Sequence, residues 1–417
     1  MRILAAVAHP VMTALSAFPS LRHRNYRLFF LGQGASLVGT WMQQMALSWL
    51  VYRITHSELL LGTVGFSSQI MTFLVTPFAG VWADRTNRRR LLVATQSLAM
   101  TQAFLLATIT LTHTVAVWHI IALSVILGLV NAFDIPIRQS FVIEMLDTRE
   151  DLPNAIALNA FLVNGAKLFG PSIAGVLIAL WGEGFCFLLN GFSYLAVIAA
   201  LLAMRLKGQP VRTSTPRVLQ NLKEGITYVR GFAPMRAVLL LLAFVSVVGM
   251  SSMVLMPVFA KDILGGGPHT LGFLMTASGL GAIAGAMFLA LRRRAQGLER
   301  VIPVGVFLLG SGLIGLSFSK TLALSLPLLG LIGVGTMTMV AATNTSLQNM
   351  VDDDKRGRVM SFYTMAFMGM GPFGSLLAGG LAYKLGAPWT VALNGTACII
   401  AATLFYLFSP PFTKTVT

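Results

Sequence analysis

Apolar runs recur along the whole chain, each about 18 to 25 residues long, the length that a hydrocarbon core of about 30 Å demands of a spanning helix. Spans are expected near Tyr26–Tyr52, Leu59–Ala83, Leu91–Thr112, Val117–Ile137, Asn154–Leu180 and Gly184–Met204. A second set lies near Ala237–Ala260, Thr270–Leu291, Val301–Phe318, Leu322–Val351, Arg358–Tyr383 and Trp389–Phe408. The longest polar break, Arg205 to Arg236, separates the two sets. The pattern predicts an all-α membrane protein with twelve transmembrane helices in two six-helix bundles. A tail is expected at 1–25, one bundle at 26–204, a linker at 205–236, the other bundle at 237–409 and a second tail at 410–417.

Within the linker, Thr215-Pro216 can open a helix, with Thr as N-cap and Pro at the first helical position. Leu219, Leu222, Ile226 and Val229 then follow at helical spacing. Two readings fit equally: an amphipathic tether on the inner leaflet, or a helix packed under the bundle. Met1 to Phe18 has an arginine, an apolar stretch and small residues, as a secretory signal does. His9-Pro10 interrupts that stretch, and the reading is an uncleaved cytoplasmic tail.

The halves carry traces of duplication. Gly170-Pro171 in the fifth span and Gly371-Pro372 in the eleventh lie six helices apart, each downstream of an acidic turn, Glu150-Asp151 and Asp352-Asp353-Asp354. Internal repeats with broken or flexible helices are the usual construction of secondary carriers, whose site lies between the halves near the midplane. Gly170, Pro171, Gly371 and Pro372 are therefore hinge or packing candidates. The two bundles are expected to be pseudo-symmetric.

Composition sharpens the picture. The 417 residues are 56% hydrophobic and 11% charged, with a mean hydropathy of +0.77, whereas a soluble domain carries roughly 25% charged residues. A large soluble core is excluded. The net charge of +16 suggests nucleic acid until its distribution is read. Every Lys and Arg except Arg53, Lys261, Lys320, Lys384 and the intraspan Lys167 falls on one side of the spans. That asymmetry puts both termini and the central linker in the cytoplasm, and no nucleic-acid partner is needed. Cys186 and Cys398 both fall within spans and read as inert packing residues.

Two ionisable groups stand out, because each costs at least ~2.5 kcal/mol near the membrane centre unless paired or wetted. Lys167 lies about midway along the fifth span. It reads either as a substrate-facing or proton-responsive cation, or as a lysine tied to neighbouring amides and carbonyls. Asp134 lies one turn before Arg138. It is the obvious acid for proton coupling, but i,i+4 spacing equally suits a permanent ion pair with Arg138, the stronger of the two readings. Gln33, Gln43, Gln44, Gln69, Asn131, Asn159, Asn164, Ser251, Ser252 and Asn344 add uncharged polar groups, most of them expected to bond helix to helix.

The most specific segment is Gly80-Val81-Trp82-Ala83-Asp84-Arg85-Thr86-Asn87-Arg88-Arg89-Arg90, between the second and third spans. A carboxylate at a helix exit meets an unfavourable dipole, so Asp84 calls for a cationic or helix-N-terminal partner, such as the one Lys355 to Arg358 could offer. Asn87 is expected to take the left-handed conformation in this turn. The segment resembles the major facilitator signature Gly-x-Leu-Ala-Asp-Arg-x-Gly-Arg-Arg, with Trp82 for leucine and Asn87 for the second glycine. The resemblance implies a conformational switch made of Gly80, Asp84, Arg85, Arg88 and Arg89, in which Asp84 and Arg88 latch the outward-facing state.

Other stretches resemble the enterobactin-exporter-like, transmembrane secretion effector branch. They are Gly39-Thr40-Trp41-Met42-Gln43-Gln44, Asp134-Ile135-Pro136-Ile137-Arg138-Gln139-Ser140-Phe141, Leu152 to Asn159, Glu224 to Arg230 and Arg356 to Ser361. The resemblance covers essentially the whole chain. It implies an exporter of small amphipathic molecules driven by an ion gradient, and the expectation is proton-linked efflux of a hydrophobic or amphipathic small molecule by alternating access, by a monomer in a lipid bilayer. It also makes Gln44 and Asn131 candidates for substrate contact, because the first and fourth helices line the cavity in that family. Lys167, Asp134 and Arg138 complete the candidate coupling and substrate set. The alternatives are an uptake permease or lipid flippase of the same fold, or a membrane-embedded enzyme or receptor. No Gly-rich phosphate loop is present and the six His are scattered, so neither a cofactor, a metal nor a catalytic residue is expected.

Overall fold

Each expected span forms a helix, and the turns fall at residues suited to end one. The structure is a computed structural model that describes residues 18–83, 86–206, 218–292, 297–352 and 355–408. Before the linker come α1 (Arg24–Thr55), α2 (Glu58–Ala83), α3 (Arg88–Leu111), α4 (Val117–Phe141), α5 (Leu152–Trp181) and α6 (Glu183–Ala203). The linker holds α7 (Val218–Gly231). Then follow α8 (Ala233–Ile263), α9 (Pro268–Leu291), α10 (Leu298–Phe318), α11 (Leu322–Met350), α12 (Arg356–Leu385) and α13 (Ala387–Phe408).

Among the described residues, 11 helices are long and apolar enough to cross a membrane. The twelfth, α1, has 32 residues and carries Arg24, Asn25, Arg27, Gln33, Gln43, Gln44 and Arg53, so it falls short in apolarity alone. Leu31, Phe78, Trp118, Phe169 and Leu180 stay exposed on the outside of the bundle, as a lipid-facing belt requires.

The second half repeats the first. Gly182 ends α5 and Gly386 ends α12, both at φ 82°, a left-handed conformation that glycine adopts without a Cβ clash. About two helical turns later each following helix reaches an Asn-Gly pair, Asn190-Gly191 or Asn394-Gly395. Asn190 Nδ2 donates to Gln43 Oε1 of α1 at 2.7 Å. Asn394 Nδ2 donates to Ser252 Oγ of α8 at 3.0 Å. The same polar tie therefore joins first to sixth helix in each half.

The Gly-Pro pairs sit at equivalent places but act differently. Helix α5 runs unbroken through Pro171. Helix α12 opens into a π turn over Met365–Gly369 and restarts at Gly371. Helix α8 is also irregular, with a 3-10 stretch at Met250–Leu255 and a π turn at Phe259–Ile263. Unlike the left-handed expectation, Asn87 sits at φ -69° and ψ 107° as the N-cap of α3, its side chain accepting from the Arg90 N–H. An Asx cap satisfies a first-turn donor in extended backbone, so no left-handed residue is required there.

Two glycine seams join the halves. In α2 and α12, a Cβ at Gly62 would stand 2.5 Å from the Ser375 carbonyl oxygen and 3.0 Å from Gly379 Cα. In α5 and α9, a Cβ at Gly175 would stand 3.0 Å from the Pro268 carbonyl oxygen, and one at Gly272 would stand 2.9 Å from that of Pro171. Only small residues let backbones approach so closely. Both seams lie toward the end that carries the α1–α2 and α8–α9 turns. There the Tyr52 hydroxyl donates to Asp262 Oδ2, and Lys261 Nζ lies 3.2 Å from His56 Nε2, both across the halves.

The opposite end is spread apart. On α5 the face turned away from lipid holds Ile156, Ala160, Asn164 and Lys167, all exposed, followed by Pro171, Ala174, Gly175 and Ile178, all buried. One helical stripe thus passes from open space into the seam, and Lys167 marks the transition. At this open end α7 packs beneath the bundle: Tyr228 donates to Asp352 Oδ2 at 3.0 Å, and Arg358 pairs with Glu224 at 2.9 Å. Of the two linker readings, the described part of α7 therefore fits packing under the bundle. Thr215 and Pro216 lie outside the described residues.

Enlarging a seam glycine should prevent the closed end from sealing. In a Gly62→Leu variant, a cysteine at Ser375, itself 7% exposed, should become reactive to a membrane-impermeant maleimide, while the parent stays protected. Cys186 and Cys398 are buried and give little background. Equal protection in both proteins would contradict the seam.

Candidate functional site

Lys167 stands where the cleft meets the seam. Its ammonium lies 5.1 Å from the centroid of the Trp41 ring on α1, within range of a cation–π contact. The approach of α1 to α5 that permits this depends on Gly170: a Cβ there would stand 2.6 Å from Trp41 Cβ and 3.1 Å from the Val38 carbonyl oxygen. Pro171 has no N–H to donate to the Lys167 carbonyl, so the helix is locally short of a bond at this level. No hydrogen bond or ion pair joins Lys167 to any described residue. Trp41 was not singled out from the sequence. Its only signal is an aromatic one turn before Gln44, which does not reveal a partner on α5.

Gln44 is exposed and Asn131 half-buried, and neither has a hydrogen-bond partner among the described residues. Gln43, its neighbour in sequence, points the other way. Its Nε2 donates to Gln102 Oε1 of α3 at 3.1 Å, and its Oε1 accepts from Asn190 of α6. This triad fastens three helices.

Asp134 is buried and answered on every side. Oδ1 accepts from Thr95 Oγ1 at 2.9 Å and from Gln96 Nε2 at 2.7 Å, both on α3, and Oδ2 lies 3.5 Å from Arg138 Nε. All of these partners lie in the first half, and Lys167 makes no contact with them. Gly371 has only Gln69 Oε1 near its would-be Cβ, at 3.2 Å, and Pro372 follows at the start of the resumed helix.

The signature between α2 and α3 is partly visible. Asp84 and Arg85 lie outside the described residues, and Gly80 lies in the last turn of α2. Arg88 pairs with Glu144 at 2.6 Å, just beyond α4, and Arg89 donates to the Leu202 carbonyl at the end of α6 at 2.6 Å. Both arginines are engaged within the first half.

Sequence reading missed a clasp at the same end. His23, the N-cap of α1, contacts Asp147 through Nδ1 at 2.9 Å and Asp151 through Nε2 at 2.7 Å, fixing the start of α1 to the α4–α5 turn. Burial alone would lower its pKa. The two carboxylates outweigh burial and hold it above the ordinary value of 6.5. A groove of about 520 Å³ lined by Phe288, Arg292, Glu299, Val301, Val304 and Thr338 opens elsewhere, on α9, α10 and α11. It shares no lining residue with the Lys167 site.

The family described as transmembrane secretion effector matches residues 15–416. The staphyloferrin A transporter of Staphylococcus aureus is 26% identical over 92% of this chain and 96% of its own. The macrolide efflux protein A of Streptococcus pyogenes is 22% identical over 91% and 96%. The multidrug efflux pump Tap of Mycolicibacterium fortuitum is 26% identical over 82% and 85%. Among solved structures, a bacterial homologue of the human lysosomal transporter Spinster, inward-facing and occupied, superposes with a TM-score of 0.73 at 14% identity, covering 93% of this chain and 97% of that one.

Two outcomes follow from the charges. Asp134→Asn keeps an acceptor for Thr95 and Gln96 but leaves Arg138 without a counter-charge. It should lower unfolding free energy by about 1–3 kcal/mol, read as an earlier thermal transition of the purified protein; an unchanged transition would argue against the buried cluster. His23 is held above its ordinary value, so its clasp is at full strength below pH 6.5 and fades as pH rises through the raised value. The stability gap between the parent and His23→Gln should therefore shrink on going alkaline, and a gap that grows would contradict the assignment.

Proposed function

The chain belongs to the transmembrane secretion effector family of the major facilitator superfamily, and from that premise we propose that it is a proton-linked exporter of a hydrophobic or amphipathic small molecule. The observation that carries the reading is the α5 stripe, exposed from Ile156 to Lys167 and buried from Pro171 to Ile178. A cleft open at one end and sealed by two seams at the other is one of the two states that alternating access requires. Relatives named for macrolide efflux, multidrug efflux and staphyloferrin A transport support a small-molecule cargo.

The distribution of Lys and Arg supports the orientation. The open end, with both termini and the linker, faces the cytoplasm of a bacterial inner membrane, and the seams face outward. Cargo enters the cleft between a first bundle at 26–204 and a second at 237–409. The seams and the Tyr52–Asp262 contact then part while the open end closes. In that closed state Asp84 and Arg88 form the latch that the signature implies, which requires Arg88 to loosen its pairing with Glu144. Lys167 is the better coupling candidate, because no described residue of its half offers it a counter-charge, whereas Asp134 is already paired with Arg138.

Accumulation of amphipathic drugs in cells with and without the gene tests the reading. Carrying cells should retain less, and collapsing the proton gradient should erase the difference. Greater accumulation in carrying cells would turn the direction to uptake.

A further inference from the structure

Lys167 is a cation deep in a spanning helix with no anion among the described residues to answer it. The chain has 14 Asp and Glu. Of these only Asp134 lies well inside a span, and it is held by Thr95, Gln96 and Arg138. By their places in the sequence, the other carboxylates fall at the ends of spans, in turns or, for Glu224, on the linker helix α7. The Trp41 ring face stabilises the ammonium only in part, and no described residue accepts from its hydrogen-bond donors. The side chain is nonetheless exposed, on the stripe that lines the cleft, at the point where the cleft ends.

Resting on the exporter reading above, we propose that the cargo carries an anionic head, a carboxylate or a group of like charge and geometry, which pairs with the Lys167 ammonium at the blind end of the cleft. The body of the cargo lies over the Trp41 ring, with the amide of Gln44 one turn further along α1. Three features of the site fit this class. The charge is a point cation with three donors, suited to an oxyanion. The neighbouring ring offers a flat apolar surface for a hydrophobic body. An exposed amide beside it can bond a neutral polar group without adding charge. Pairing also cancels the charge, so the loaded cleft can close around a neutral pair more readily than the empty cleft around a bare ammonium. Anion binding would then favour the transition that carries the cargo outward.

The test uses the purified full chain in nanodiscs of zwitterionic lipid and three probes that share one ring system: 2-naphthoate, 2-naphthamide and 2-naphthylmethylammonium. The carboxylate should bind the wild type at least about tenfold more tightly than the amide, the difference a charge-assisted hydrogen bond supplies. The ammonium probe should bind weakest. Lys167→Gln should erase the preference, Lys167→Arg should keep it, and Trp41→Leu should weaken all three probes while preserving their order. Equal binding of the three heads by the wild type, failure of the carboxylate to bind, or a preference that survives Lys167→Gln would each overturn the proposal. The wild-type comparison stands even if a variant does not fold. Failure here is distinguishable from failure of the exporter reading: cells that still extrude neutral or cationic drugs would retain the function and lose only the anionic cargo.

Discussion

A hydrocarbon interior supplies no hydrogen bonds, so a polar group carried into it must be answered by another part of the chain or by a wet cavity. Several polar residues of this protein divide along that line. Gln43 is answered by Gln102 and Asn190, Asp134 by Thr95, Gln96 and Arg138, and Asn394 by Ser252. These groups tie helices together within a half. Lys167, Gln44 and Asn131 have no such protein partners among the described residues, and Lys167 and Gln44 are exposed.

The contacts between halves are of another kind. At Gly62–Gly379 and Gly175–Gly272 the backbones meet almost without side chains between them. Surfaces of that kind can separate and re-form without unpairing charges. Of the polar contacts across the halves, Tyr52 with Asp262 and Lys261 with His56 lie at the closed end near water, and the hydroxyls of Ser172 and Thr276 meet at 2.6 Å within the α5–α9 seam. Each half is thus internally cross-linked by buried polar bonds, and the two meet along smooth seams. That division suits motion of one half as a body against the other.

Much of this was legible in the sequence because the bilayer imposes it. Span length follows from membrane thickness, and the helix bounds agree with the apolar runs to within a few residues, even for α1 with its many polar groups. The mid-span position of Lys167 was readable from the fifth apolar run, and the Asp134–Arg138 pairing from i,i+4 spacing. What stayed hidden lies between helices. Thr95 and Gln96 reach Asp134 from α3, Trp41 reaches Lys167 from α1, and His23 reaches Asp147 and Asp151 across the start of the bundle. No local periodicity encodes such partners. The repeat was likewise glimpsed through Gly170-Pro171 and Gly371-Pro372, although the stronger correspondence is the turn glycine and Asn-Gly pair of α5–α6 and α12–α13. Asn87 shows the opposite limit: asparagine suits a left-handed turn and an N-cap alike, and the following helix decides between them.

The central claim is that two rigid halves exchange an opening at one end for an opening at the other. Spin labels can report both ends at once. Thr112, in the α3–α4 turn, and Lys320, in the α10–α11 turn, are exposed at the closed end. Thr148, in the α4–α5 turn, and Gly357, at the start of α12 with open space where a Cβ would stand, report on the open end. Paired distances measured by pulsed electron resonance, with and without cargo and at two pH values, should shift in opposite senses, the Thr112–Lys320 distance lengthening as the Thr148–Gly357 distance shortens. Distances that move together, or that stay fixed in every condition, would contradict the account.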